Sequence, residues 1–388
     1  MRYQSVNALL MGEKRIVELD SLRGIAAFTV LINHCIMAYP IIYSLFVSRD
    51  LTKSNLFLNY LMFSPLHIFW NGHSAVILFF ILSGFVLSTS HYSTTKFVYK
   101  DYLIRRLCRL YLPYFCIITV SVLLLNFYHT HHGMVNLSDW FNTMWYSKVS
   151  LTDYFRLILL GGNTNNVGTT LWTIIIEIEV SIILPIFLIL IKNISFFQNI
   201  LFVFAYVLIF LLLNKTVVFT YLPFLRNFYY LTFFLLGGII YKYKGEITEI
   251  SVRNKYAPLL IFILILIFYN WEWLFIWVQP YSGGFLHMIN DYIAAAGGVL
   301  LIIICLVNNS TIKKIFNNVV LKFLGKISYS LYLIHPIILL MVVYTAPTIN
   351  YGFLIIIVIA LSIIISYLYY ISIERPAIKL GKYIAGST

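Results

Sequence analysis

Apolar stretches about 20 residues long recur along the chain, separated by short polar or basic intervals. They fall near 22–42, 67–90, 110–128, 170–191, 199–213, 221–241, 257–277, 285–308, 327–346 and 352–373. A helix of about 20 residues crosses the roughly 30 Å hydrocarbon core of a bilayer. The pattern therefore predicts an all-α, polytopic membrane protein with ten transmembrane helices. One long interval, 129–169, breaks the rhythm. It holds His129, His131, His132, Gly161-Gly162 and a short apolar piece at 154–160.

Composition agrees with a lipid solvent. Hydrophobic residues make up 61% and charged residues 11%, and mean hydropathy is +0.88, outside the range of soluble domains. The net charge of +13 reads as topology. With the N-terminus in the cytoplasm, 21 of the 27 lysines and arginines fall on the inner side. Five fall in outer loops, and Arg226 lies within a span. The positive-inside rule then predicts both termini cytoplasmic and calls for no nucleic-acid partner. Glu13, Lys14, Arg15, Glu18 and Asp20 leave no apolar core for a cleavable signal peptide. Cys35, Cys108, Cys116 and Cys305 show no CxxC spacing, so neither a disulfide nor zinc is expected. The three histidines at 129–132 lack a carboxylate at ligand spacing and read as a solvated loop. No inverted repeat is visible, which weighs against a transporter. The chain stops soon after the tenth span, so no soluble domain is expected.

Several polar residues fall where lipid makes them costly. Arg23 and His34 are eleven positions apart, about 20° from one another on one helix face, with His34 roughly 16 Å further along. Arg105, Arg106 and Arg109 share a face at the inner mouth of the third span. Clustered guanidiniums suit phosphate, and they equally suit lipid headgroups. Ser83-Gly84 lies in the inner half of its span, either admitting a ligand or packing a helix. His335-Pro336 sits about 12 Å from the inner side, as a ligand contact or as a kink. Counted from residue 170, Glu177 lies about 10 Å from the outer surface, near the level of His34. Arg226 and Asp291 share that outer layer. Trp271, Trp273, Trp277 and Tyr281 read as an interfacial aromatic belt or a sugar platform.

In order along the chain, six elements resemble the acyltransferase 3 family of integral-membrane acyltransferases. They are Arg23 with His34; Phe79-Phe80-Ile81-Leu82-Ser83-Gly84-Phe85; Arg105-Arg106 with Arg109 and Pro113; Trp172-Thr173 with Glu177 and Pro185; Ser328 to Pro336; and Glu374-Arg375-Pro376. Where many members carry adjacent glutamates, Ile178 here separates Glu177 from Glu179. Ile77 stands where many carry an acid.

The resemblance implies a bacterial inner-membrane O-acyltransferase with no appended soluble domain. It would carry an acyl group, acetyl in the simplest case, from cytoplasmic acyl-coenzyme A to a carbohydrate hydroxyl. The acceptor would be an O-antigen, capsule, exopolysaccharide or lipid-linked sugar. Arg105, Arg106 and Arg109, with Arg23, would hold the coenzyme phosphates; Ser83, Gly84 and His335 would line the donor's arm. His34 would deprotonate the hydroxyl or receive the acyl group itself, with Glu177 and Arg23 in support. Trp172, Arg226 and Asp291 would touch the acceptor. No permanently bound cofactor or metal is expected. The competing class is a sugar or lipid transporter or flippase.

Overall fold

A computed structural model describes residues 16–92, 97–128, 137–213, 223–253, 256–274 and 285–386. Among them every regular element is helical. The principal helices are α1 (Val17–Met37), α2 (Gly72–Tyr92), α3 (Tyr99–Tyr128), α4 (Leu171–Lys192), α5 (Phe196–Leu213), α6 (Pro223–Lys242), α7 (Ala257–Tyr269), α8 (Phe285–Leu306), α9 (Val319–Thr345) and α10 (Tyr351–Tyr369). Seven described helices are long and apolar enough to cross a membrane. An eighth crossing arises if α1 and the helix Pro40–Ser48, bent by 103° from it, act as one span. The break falls where Pro40 lacks an N–H and forces Tyr39 into extended backbone. At the seventh position the apolar helix stops at Tyr269, where the Asn270 side chain donates to the Leu266 and Pro65 carbonyls.

Helix directions follow from which residues meet. Ser21 on α1 donates to the Phe316 carbonyl just before α9, and further along His34 meets His335, so α1 and α9 run parallel. In the same way His73 on α2 meets Asp291 on α8, and the Gly298 backbone lies against Ile81. Those two helices are parallel as well. Between α3 and α4 the order reverses: Arg106 meets Glu177, and Tyr102 meets Ser181. These are the directions of a chain that threads back and forth.

Glycines set the tightest contacts. A Cβ on Gly24 would sit 2.4 Å from the Gly325 nitrogen, and one on Gly325 would sit 2.4 Å from the Asp20 oxygen. A Cβ on Gly84 would lie 2.0 Å from the Phe234 carbonyl oxygen, and one on Gly237 2.0 Å from that of Ile81. Small residues let helix backbones touch where lipid supplies no hydrophobic drive between helices. Gly84 thus serves α2–α6 packing.

From residue 137 on, the interval between α3 and α4 is folded. Short helices at Asp139–Asn142, Leu151–Ile158 and Thr164–Val167 cover one end of the bundle. Trp145 is fully buried there and donates to Ser121, while the Ser121 hydroxyl donates to the Val167 carbonyl at 2.5 Å. Ser121 lies seven residues, about 10 Å, below the end of α3. The segment therefore dips into the bundle, and α4 begins correspondingly deep. His129, His131, His132, Trp277 and Tyr281 lie outside the described residues.

Sidedness can be measured with two exposed lysines, Lys148 in this cap and Lys100 at the opposite end of α3. In a background with the four cysteines replaced, Lys148→Cys should react with an impermeant maleimide on intact cells. Lys100→Cys should react only after permeabilisation. Labelling of both from one side would refute the orientation drawn from charge.

Candidate active site

His34 and His335 form the most specific pair in the bundle. The α1–α9 glycine contact brings their rings together, His34 Nδ1 lying 2.9 Å from His335 Nε2. Pro336 removes one backbone N–H from α9, and the His335 ring turns back along the helix so that Nδ1 lies 2.8 Å from the Leu331 carbonyl oxygen. A carbonyl only accepts, so His335 Nδ1 carries the proton. In the neutral ring Nε2 then holds a lone pair and accepts from His34 Nδ1–H. This leaves the lone pair of His34 on Nε2, which makes no hydrogen bond among the described residues. His335 is buried, whereas His34 is half-buried beneath Trp140, 5.1 Å away between ring centroids.

One to three turns further in lies a cluster of opposite charges. Arg106 and Glu177 are both buried and form an ion pair. Ser83 donates to the same carboxylate oxygen at 2.7 Å, and Arg106 Nε reaches Ser181 Oγ at 3.4 Å. Glu177 therefore sits level with Ser83, deeper than a count from residue 170 implies, because the cap displaces the start of α4. The neighbour of His34 is consequently His335 and not this carboxylate. Glu179 points the other way and accepts from Asn227 at 2.7 Å, as a two-residue step of roughly 200° requires.

Arg23 interacts with Glu177 and with Glu374, and its buried Nε has no hydrogen-bond partner. Arg109 interacts with both carboxylates and with Arg23 and Arg106. Among the described residues it makes no hydrogen bond, and it is partly exposed. Arg105 is also partly exposed. Three guanidiniums thus face two carboxylates, an arrangement with one positive charge to spare.

Glu374 was visible in sequence only as part of a terminal motif. A single π-turn, Tyr370–Glu374, delivers it, and Ser330 donates to it at 2.5 Å. Such turns often mark functional positions.

A cavity opens beside the charge cluster and extends as far as Tyr332. Arg23, Glu177, Ser328 and Tyr329 line one end, and Phe79, Thr173 and Tyr332 line the rest. Tyr332 stands 6.0 Å from His335 between ring centroids and accepts from Thr173 at 3.0 Å. The open space is about 20 Å³, room for one water molecule. Neither histidine lines this cavity, and Tyr332 stands between it and His335.

Residues 16–371 match a family model described as an acyltransferase domain, acyltransferase 3, over nearly the whole chain. The chain belongs to the acyltransferase 3 family. It is a multi-pass membrane acyltransferase, and the match decides against the transporter class. Compared with curated proteins and with solved structures, the chain finds no significant match.

The remaining candidates of this acyltransferase lie apart from the two groups. Trp172 packs against Tyr230 at 5.7 Å. Arg226 is exposed. Asp291 is buried between His73 and Tyr229. Trp273 is buried rather than forming a platform, stacked on His67 at 4.0 Å and covered by Arg49 at 4.9 Å.

Removing one partner of a buried pair strands the other charge, at about 3–5 kcal/mol. Arg106→Gln and Glu177→Gln should each lower the melting temperature of the detergent-solubilised protein markedly, and the double variant should recover most of the loss. Additive losses in the double variant would show that the two side chains do not stabilise each other.

Proposed function

We propose that this acyltransferase moves an acetyl or similar short acyl group from cytoplasmic acyl-coenzyme A to a hydroxyl of a cell-surface carbohydrate. The observation that carries the mechanism is the tautomer imposed on the His34–His335 pair, which leaves a lone pair on His34 Nε2. Arg109 and Arg23, with Arg105 at the mouth, are the guanidiniums suited to the coenzyme's pyrophosphate and 3′-phosphate. Arg106 is engaged by Glu177 and helps to hold the cluster together.

The acyl arm then lies along the Phe79–Tyr332 passage, which must widen to admit it. His34 Nε2 takes the proton of the acceptor hydroxyl. The hydroxyl oxygen attacks the thioester carbonyl, the C–S bond breaks, and the proton passes from His34 to the departing sulfur. During this step His34 becomes imidazolium while still donating to His335, which keeps the ring oriented. Trp140 over His34 is the aromatic surface nearest the acceptor's side.

His34→Ala should lower kcat by about 10²–10⁴, the usual cost of losing a general base. His335→Ala should give a smaller loss in the same parameter, and the double variant should be no worse than His34→Ala, because the residues act as a unit. Wild-type glycan acylation by His34→Ala, read by mass spectrometry of surface glycans, would end this mechanism.

Arg109→Gln tests the donor end. It should raise KM for acyl-coenzyme A more than it lowers kcat, since phosphate binding is nearly uniform between ground and transition states. An unchanged KM would remove Arg109 from the donor site.

A further inference from the structure

We propose that His73, His287 and Asp291 form a binding site for one divalent transition-metal ion, with zinc the best match. The site lies outside the passage described above and does not depend on the acyl-transfer mechanism. His73 stands in the first turn of α2; His287 and Asp291 stand four apart at the start of α8, on one face. Because α2 and α8 run parallel, their beginnings meet at the same end of the bundle. His73 Nε2 lies 2.5 Å from Asp291 Oδ1, and His287 Nε2 lies 3.9 Å from it. All three ligand atoms fall within 4.8 Å of one another. Tetrahedral zinc, with bonds of about 2.0–2.1 Å, spaces its ligands about 3.3 Å apart. The observed separations bracket that value, so small side-chain rotations suffice to close on an ion.

Three further features point to a metal rather than to a simple ion pair. Two imidazoles with one carboxylate is a ligand set suited to zinc. Asp291 is fixed from behind, since the buried Tyr229 hydroxyl donates to its other oxygen at 2.6 Å. Such an outer partner orients a ligating carboxylate. Accessibility is also graded: the Asp291 side chain is 2% exposed, whereas those of His73 and His287 are 31% and 28% exposed. An ion therefore has a way in past the rings. The three ligands leave a fourth position open to a water or a hydroxyl oxygen, the arrangement of catalytic rather than structural zinc. Gly72, next to His73, packs directly on Asn33, next to His34.

The test uses full-length protein in detergent, stripped with a chelator and titrated with cobalt(II) chloride as a spectroscopic stand-in for zinc. One cobalt per chain with the intense visible bands of a tetrahedral ion is expected. Those bands should vanish in His73→Ala and in His287→Ala. Zinc chloride should raise the melting temperature of the parent protein and leave that of the alanine variants unmoved. Absence of tetrahedral cobalt, or bands unchanged in both alanine variants, would overturn the site. Should an alanine variant fail to fold, Tyr229→Phe decides, because it keeps all three ligands. It should weaken cobalt binding about 10–100-fold, and unchanged affinity would overturn the assignment.

Discussion

The approach of α1 to α9 at Gly24 and Gly325 is the constraint from which the rest of the arrangement follows. With no side chain on either glycine, the two parallel backbones touch, each missing Cβ falling within 2.4 Å of the other helix. Parallel helices at that distance stay in register over three turns. His34, ten residues beyond Gly24, therefore arrives beside His335, ten residues beyond Gly325. A lateral shift of even one methyl group at the glycines would be felt at the imidazoles, because packed helices transmit displacement rather than absorb it.

Among the described residues, the charges of the central cluster are paired inside the bundle. Arg106, Glu177 and Ser83 satisfy one another across three helices, while Glu374 reaches the same region from the far end of the chain. The isolated cost of such groups in a membrane is high, and pairing them lowers it.

The folded cap shows where linear reading falls short. The interval 129–169 lacks long apolar runs, and Trp140 and Trp145 gave no hint in sequence that one would cover His34 and the other would be buried on Ser121. Its dip into the bundle shifts α4, which in turn places Glu177 with Ser83 rather than level with His34. Helix counting gives depth only relative to a helix's own start, and here the starts are staggered.

Local physics carried the helices, their positions, the shared face of Arg23 and His34, the opposite faces of Glu177 and Glu179, and the motifs of a family. All of these depend on periodicity and on the length of chain a bilayer requires, which neighbouring residues suffice to determine. Partnership between distant residues was decided only in three dimensions. His335 meets His34 across 301 positions, Glu374 meets the arginines through one π-turn, and His73 meets Asp291 across 218. These pairings depend on which helices lie side by side and in what register. Glycine contacts and buried charges set that register, and a one-dimensional pattern does not record it.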